Sequence, residues 1–517
     1  MSGSDTAQHP FGTGEIEVLS PIHGTVLAKV PNERPEAVAA IVRELREQQR
    51  EWEAIGSAAR AGWLRELRDW LLAQQDRIAD VLQSESGKPR AEAEIELPFV
   101  AEAISYFARH ATEFLADERI RPSGLLSAPK RMTRIHRPYP VVGVISPWNF
   151  PMLIPGADAV TALLAGAAVL LKPSEVTPLT ALELQRGWRE IGAPAVFAVV
   201  TGDGVTGSAV VENVDYVQFT GSTRTGQAIA HRCVDRMIPY SLELGGKDPA
   251  IVLADADLDR AVRGIAWGAL LNSGQACVSI ERVYVEAPIH DEFVARLVDQ
   301  VAALRQGDDR VHHTVDLGAM ATPAQRAIAQ RHIDEALDAG ARALTGGDDG
   351  YNGAFLAPTV LVDVDDTMSC MREETFGPTI PIVKVADADE AVRRANQSGY
   401  GLSASVWTRD RARGERIARA LEVGAVNVDD VVANLFEMGL PHGGWKRSGS
   451  GARLGGAAGL RKYTRQQAIT APRVRPLPWE PLWYPYGPRK ARVVRWLLAV
   501  AATVGSASMW RLPARTR

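Results

Sequence analysis

Cys277 sits in Asn272-Ser273-Gly274-Gln275-Ala276-Cys277-Val278-Ser279, a turn of small residues that leaves a thiol approachable. Such a thiol can attack a carbonyl carbon and form a covalent intermediate. A lone cysteine is by default a small buried hydrophobe, so its neighbours must decide. Upstream, Leu242-Glu243-Leu244-Gly245-Gly246-Lys247 sets an acid between two leucines and ahead of a glycine pair. A carboxylate in apolar surroundings has its pKa raised and suits general-base work near neutrality; the plainer alternative is a Glu on the solvent side of an edge strand. Pro147-Trp148-Asn149-Phe150-Pro151 places one carboxamide between aromatics and prolines at a strand end. That amide is fit to hold an oxyanion or, more simply, to stabilise a turn.

Two more segments suit a nucleotide. Phe219-Thr220-Gly221-Ser222-Thr223-Arg224-Thr225-Gly226 follows an apolar strand and opens a helical stretch from Gln227 to Val234. Free backbone N–H groups and the helix dipole meet there and favour a pyrophosphate. The spacing is GxxxxG rather than GxGxxG, so an ordinary strand-to-helix turn stays open. Leu171-Lys172-Pro173-Ser174-Glu175 follows another strand end, where Lys172 and Glu175 either reach ribose hydroxyls or form a surface ion pair.

The elements that must position these residues are legible from periodicity. Trp63, Leu64, Leu67, Trp70 and Leu71 fall on one helical face, which predicts helices over Pro35 to Gln83, ended by Gly87-Lys88-Pro89. From Arg137 the chain turns to short apolar runs at Val141 to Ser146, Ala168 to Lys172, Val196 to Val200 and Val214 to Thr220. A second series follows at Ala250 to Asp255, Arg282 to Ala287, Thr359 to Val364, Ile380 to Val385 and Ser403 to Thr408. Strands alternating with helix-length stretches imply βαβ units and parallel sheets covered on both faces. Two α/β domains dividing near Gly245-Gly246 are expected.

At 517 residues the chain exceeds a single core. With 46% hydrophobic and 23% charged residues, wholesale disorder is excluded. A net charge of -4 gives no basic field for nucleic acid, and none is expected as a partner. The three cysteines, Cys233, Cys277 and Cys370, fit neither a disulfide framework nor a CxxC metal spacing, so a reducing, cytoplasmic setting without a metal is expected. The first residues, Met1 to Phe11, lack the order of a secretory signal, and no stretch reaches the ~20 apolar residues of a spanning helix. From Ala471 onward, nine Lys or Arg stand against one acid. There, aromatics at Trp479 to Tyr486 precede Arg489, Lys490, Arg492 and Arg495, then 15 uncharged residues from Trp496 to Trp510. That order suits peripheral membrane contact through 479–511; packing on the protein is the alternative.

Taken together, PWNFP, LKPSE, FTGSTRTG, LELGGK, GQACVS, Glu373-Glu374-Thr375-Phe376-Gly377-Pro378 and Pro441-His442-Gly443-Gly444-Trp445-Lys446-Arg447-Ser448-Gly449 resemble the signatures of the NAD(P)-dependent aldehyde dehydrogenase superfamily. The match runs in order from about Glu15 to Ile469. The resemblance implies an α/β fold with a Rossmann-type NAD-binding domain at 12–125 and 140–245 and an α/β catalytic domain at 246–445. A small oligomerisation element at 126–139 and 446–475 would build a homodimer or homotetramer, and 476–517 would be a tail beyond the family's usual end. Position by position, the resemblance implies Cys277 as nucleophile, Glu243 as general base and Asn149 as oxyanion donor beside the Cys277 backbone N–H. It places Trp148, Lys172, Ser174, Glu175, Gly221, Ser222, Gly226, Leu244, Glu374 and Phe376 around the cofactor, with Lys247 nearby.

The implied reaction turns an aldehyde into the free acid, because the CoA-acylating branch typically lacks the carboxylate at Glu243. Glu175 accepts hydrogen bonds from free ribose hydroxyls and repels a 2′-phosphate, which favours NAD; Arg224 in the glycine turn is the feature that would assist NADP. Two departures stand out. Val278-Ser279 leaves no second cysteine for a regulatory disulfide, and His442 replaces the usual Phe. The wording of GQACVS, IERVYV and PHGGWKRSG looks closest to bacterial succinate-semialdehyde and aliphatic-aldehyde enzymes. The competing readings are an esterase-like enzyme, turning over without NAD, and a catalytically silent relative with a membrane-docking tail; intact Cys277, Glu243 and Asn149 argue against silence.

Overall fold

Three helices, Pro35–Ala54, Gly56–Ala73 and Gln75–Ser86, occupy the region where the apolar period requires them. In the second, Leu64, Leu67 and Leu71 are fully buried while the intervening Arg65 and Glu66 face solvent. The run stops at Gly87, whose φ of 72° is left-handed and whose Cβ, if it had one, would strike Pro21 and Ala319; only glycine fits both demands. These elements belong to a computed structural model that describes residues 14–123, 127–347, 353–451, 453–476, 478–480 and 482–504. The chain forms two compact units, one of Met1–Phe114 with Tyr139–Tyr463, the other of Leu115–Pro138 with Thr464–Arg517.

The larger unit holds two sheets built on the predicted strands, whose ends are shifted slightly. In the first, the order is Gly449–Ser450, Tyr240–Glu243, Tyr216–Thr220, Val141–Ile145, Ala168–Lys172, Phe197–Val199. All but the short Gly449–Ser450 strand run parallel. Chain order reverses between Val141–Ile145 and Tyr216–Thr220, which creates a crevice at the strands' carboxyl ends. Every residue of Val141–Ile145, Ala168–Lys172 and Tyr216–Thr220 is buried, because helices cover both faces. That is why these segments read as unbroken apolar runs rather than as alternation.

The second sheet has seven strands ordered Arg342–Thr345, Thr359–Val362, Thr379–Val385, Ile280–Glu286, Asp248–Val252, Ser403–Trp407, Ala425–Val428. Only its Arg342–Thr345 edge is antiparallel. Ile251, Val283, Ile380 and Val406 lie in its core with no exposed surface.

The smaller unit is a three-stranded antiparallel sheet, Thr464–Pro472 on Lys130–Pro138 on Glu118–Ile120. A helix, Pro488–Val504, follows it. Trp479, Trp483, Tyr484, Tyr486 and Trp496 are exposed. The expected membrane segment 479–511 is thus described over 479–480 and 482–504; the rest lies outside the described residues. Among the described residues no helix is long and apolar enough to cross a membrane.

Candidate active site

Register across the first sheet gathers the predicted residues at one edge. Ile145 pairs with Lys172 and with Phe219, and Thr220 pairs with Glu243. The loop carrying Asn149, the Lys172-Pro173-Ser174-Glu175 segment, the Gly221 turn and Glu243 therefore all leave the sheet at the switch point, where ligands of such sheets bind. A cavity of about 290 Å³ opens there. Trp148, Asn149, Gly221, Ser222, Glu243, Leu244, Cys277, Glu374 and Phe376 all line it.

Cys277 arrives from the other sheet, on the connection between the Leu258–Leu270 helix and the Ile280–Glu286 strand. Asn272, Ser273 and Gly274 hold φ of 53°, 54° and 74° in succession, a costly left-handed stretch for the two non-glycines. Their neighbours over-determine it. The Asn272 backbone N–H donates to the Glu92 carboxylate at 3.0 Å, Ser273 Oγ donates to the Gly318 carbonyl at 2.9 Å, and the Gln275 side chain bridges the Asn272 carbonyl and the Ala321 N–H, each at 2.9 Å. The thiol is half-buried. Burial pushes it up to about 12, with Glu243 adding and Arg453 opposing, so at rest it holds its proton.

Asn149 is buried and donates from Nδ2 to the Gln275 carbonyl at 3.0 Å. Its own carbonyl accepts from Lys88 Nζ at 2.8 Å and from Asn272 Nδ2 at 3.0 Å. Lys88 is paired with Glu96 at 2.6 Å, both side chains fully enclosed. The other Glu96 oxygen accepts the Met152 and Leu153 N–H groups at 3.0 and 2.9 Å. In the sequence, Lys88 reads only as part of the Gly87-Lys88-Pro89 helix stop. The available signal was a charge wedged between Gly87 and Pro89, where a solvated lysine has no special reason to be.

Glu243 ends its strand with 2% relative exposure, so the solvent-side alternative does not describe it. Neither carboxyl oxygen makes a hydrogen bond of ordinary geometry. Burial pushes the group up to about 8, against the pull of Arg453 and Lys462. Asp158 and Arg453 form a buried two-point ion pair at 2.9 Å beside it, another arrangement the sequence did not reveal.

The glycine pair after Glu243 has a steric cause. A Cβ on Gly245 would collide with the Glu374 carboxylate, and one on Gly246 would lie 2.5 Å from the Cys277 carbonyl. Gly246 N–H donates to Glu374 at 3.0 Å, whose carboxyl burial and Glu281 push up to about 8. Lys247 pairs with Glu281 at 2.5 Å, and Glu281 accepts the Thr375 and Phe376 N–H groups at 2.8 Å. Phe376, thus tethered, holds φ of 51° and meets Trp148 edge-on at 5.4 Å.

On the nucleotide side, Ser222 caps the Thr223–Asp235 helix, its Oγ accepting the Thr225 N–H at 3.4 Å. Gly226 leaves room for Leu244. Lys172 is buried and donates to the Pro173 carbonyl at 2.9 Å and to the exposed Glu175 at 3.4 Å. Ser174 Oγ accepts the Val176 N–H at 3.2 Å. Lys172, Ser174 and Glu175 stand one strand over from the cavity lining, and Arg224 is exposed. A helix N-terminus, a glycine turn and an ammonium beside an acid suit a dinucleotide.

Residues 9–469 match the model described as the aldehyde dehydrogenase family. The chain belongs to the aldehyde dehydrogenase family. It is 41% identical over 456 residues, 87% of each chain, to the Mycolicibacterium smegmatis protein named "Putative succinate-semialdehyde dehydrogenase (NADP(+))". It is 38% identical to 4,4'-diapolycopene aldehyde oxidase of a Methylomonas species, over 91% of this chain and 88% of that protein. The crystal structure of an NAD-dependent aldehyde dehydrogenase from Sinorhizobium meliloti superposes with a TM-score of 0.85 at 35% identity, covering 90% of this chain and 93% of that one. This aldehyde dehydrogenase is an NAD(P)-dependent oxidoreductase acting on aldehydes.

Proposed function

We propose that Cys277, Glu243 and Asn149 carry out the oxidation, and the observation that supports this is their convergence on one cavity from two different sheets. Cys277 Sγ, on losing its proton, attacks the aldehyde carbon. The Asn149 amide and the Cys277 backbone N–H hold the resulting oxyanion. The dinucleotide, when bound, supplies the hydride acceptor. Glu243 then takes a proton from water, which attacks the thioester and releases the acid. A Glu243→Gln enzyme tests the assignment: it gives one burst of NAD(P)H and stalls as an acyl-enzyme, detectable as added mass on Cys277. An unchanged steady-state rate overturns the base.

Trp148, Lys172, Ser174, Glu175, Gly221, Ser222, Gly226, Leu244, Glu374 and Phe376 hold the dinucleotide in this reading. Exposed Glu175 beside Lys172 favours a free ribose hydroxyl, hence NAD; kcat/KM for the two dinucleotides decides. The cavity lining supports one substrate class. Among the described residues lining it there is no Lys or Arg, and the part of the lining not assigned to the dinucleotide includes the apolar Ile154 and Ile328. An apolar aliphatic aldehyde fits that lining better than succinate semialdehyde, whose free carboxylate would find no Lys or Arg there to pair with. Rates that rise with alkyl chain length support this; preference for the carboxylate-ended aldehyde refutes it.

The smaller unit carries two further assignments. Thr464–Pro472 is a nine-residue edge strand, mostly exposed, and an open edge of that length is a pairing surface; we assign it to a homodimer or homotetramer contact. The helix Pro488–Val504 sets its basic residues in the first two turns and only uncharged residues after Arg495. We assign it to docking on an anionic membrane surface, where an apolar aldehyde would partition.

A further inference from the structure

His442 stands where the sequence departs from the usual phenylalanine, and its placement is specific. The Pro441–His442 strand pairs with Arg453–Leu454, setting His442 opposite Arg453. The chain between them folds back so that Gly449 pairs with Glu243 and the Ser448 carbonyl accepts the Leu244 N–H at 2.9 Å. The segment therefore wraps around the acid, and the His442 ring is buried at 3% exposure with its Nε2 at 4.0 Å from Glu243 Oε2.

The other groups facing this point are already engaged. From the Leu153–Ala165 helix comes Asp158, bound to Arg453. From the Tyr216–Thr220 strand come Thr220, which accepts from Arg453, and Gln218, which accepts from Lys462. Cys277 faces Glu243 across the cavity. Glu243 makes no hydrogen bond of ordinary geometry from either oxygen, and only the Arg453 backbone N–H is directed at it; a buried carboxyl so sparsely bonded is costly.

We propose that His442 is a positioning residue for Glu243, its neutral imidazole donating from Nε2–H to the carboxylate after a small rotation of either side chain. The inference rests on the reading of Glu243 as the base. Burial, with Arg453 and Lys462 adding, holds the imidazole down at about 3, so the ring is neutral wherever the enzyme works and does not itself titrate there. A neutral N–H donor favours the ionised carboxylate. It keeps the base available at lower pH and fixes the oxygen that will face water. Phenylalanine keeps the volume and gives up both effects.

The test follows hydrolysis of the acyl-enzyme directly, by quenching after one turnover and weighing the intact protein as a function of pH. In H442F the acidic limb of deacylation moves to higher pH by about one unit, with the NAD(P)H burst at its parental amplitude. H442Q, whose amide can donate to the same oxygen, restores the parental limb. An H442F limb that coincides with the parent's overturns the proposal. The Glu243→Gln enzyme separates the two claims: if it deacylates normally the base reading fails, whereas if it stalls while H442F is unchanged only the His442 role fails. A second readout needs no change at His442. In [15N]histidine-labelled protein, Glu243→Gln shifts the His442 Nε2 resonance of the neutral ring; an unmoved resonance overturns the contact.

Discussion

At the scale of single residues, the site is organised by burial of groups that would rather be solvated. Cys277→Ala is expected to abolish NAD(P)H formation while leaving dinucleotide binding intact, measured by initial rates and by titration of protein fluorescence. For Glu243 the sign of the pH effect is determined. A base works unprotonated, so deacylation should rise through about pH 8, where the carboxyl is held. Its folded pKa lies above the ordinary Glu value, so the folded state binds the proton more tightly than the unfolded chain. The stability this contributes is present at low pH and is lost as pH rises through about 8. The Tm of the Glu243→Gln enzyme should accordingly gain on the parent's as pH increases through that value. A gain that is flat with pH would show that Glu243 is not held protonated. The residue types here were legible from sequence: a thiol in a small-residue turn, an acid between leucines, an amide between prolines. Their protonation states were not, because those depend on what encloses them.

At the scale of elements, loops are held by buried pairs rather than by their own preferences. Lys88 and Glu96 tie the helix Arg90–Phe114 to the Asn149 loop. Lys88→Met leaves Glu96 buried without its partner, a loss of about 3–5 kcal/mol, read as a lower urea midpoint. Because the Asn149 carbonyl loses its strongest donor, kcat should fall more than KM rises. Gly245→Ala pushes a methyl group into the Glu374 carboxylate and should weaken dinucleotide binding several-fold without lowering Tm comparably. The strands themselves were readable, since fully covered parallel strands become continuous apolar runs. The pairs Lys247–Glu281 and Asp158–Arg453 were not, because each joins residues on separate elements and leaves no local period; Lys88 and Glu96 stand eight residues apart, a spacing that is no helical neighbour pair, and it too went unread.

At the scale of the whole molecule, the tail is the feature that the catalytic reaction does not require. Four basic residues near an anionic surface contribute roughly 1 kcal/mol each, and exposed Trp496 and Leu498 add apolar contact. The full chain should sediment with anionic vesicles and not with zwitterionic ones. Reversing Arg489, Lys490, Arg492 and Arg495 to Glu should release it while leaving turnover of a water-soluble aldehyde unchanged. Failure of the parent chain to sediment would sink the docking assignment.

The strand segments, the glycine turns and the chemical types of the candidate reacting groups are properties of short segments, and the sequence alone determined them. Only folding brought Cys277 from one sheet to Glu243 and Asn149 on the other, set His442 four ångströms from the acid and enclosed both. Local periodicity reports which face of an element is buried, whereas convergence, desolvation and ion pairing arise between elements distant along the chain.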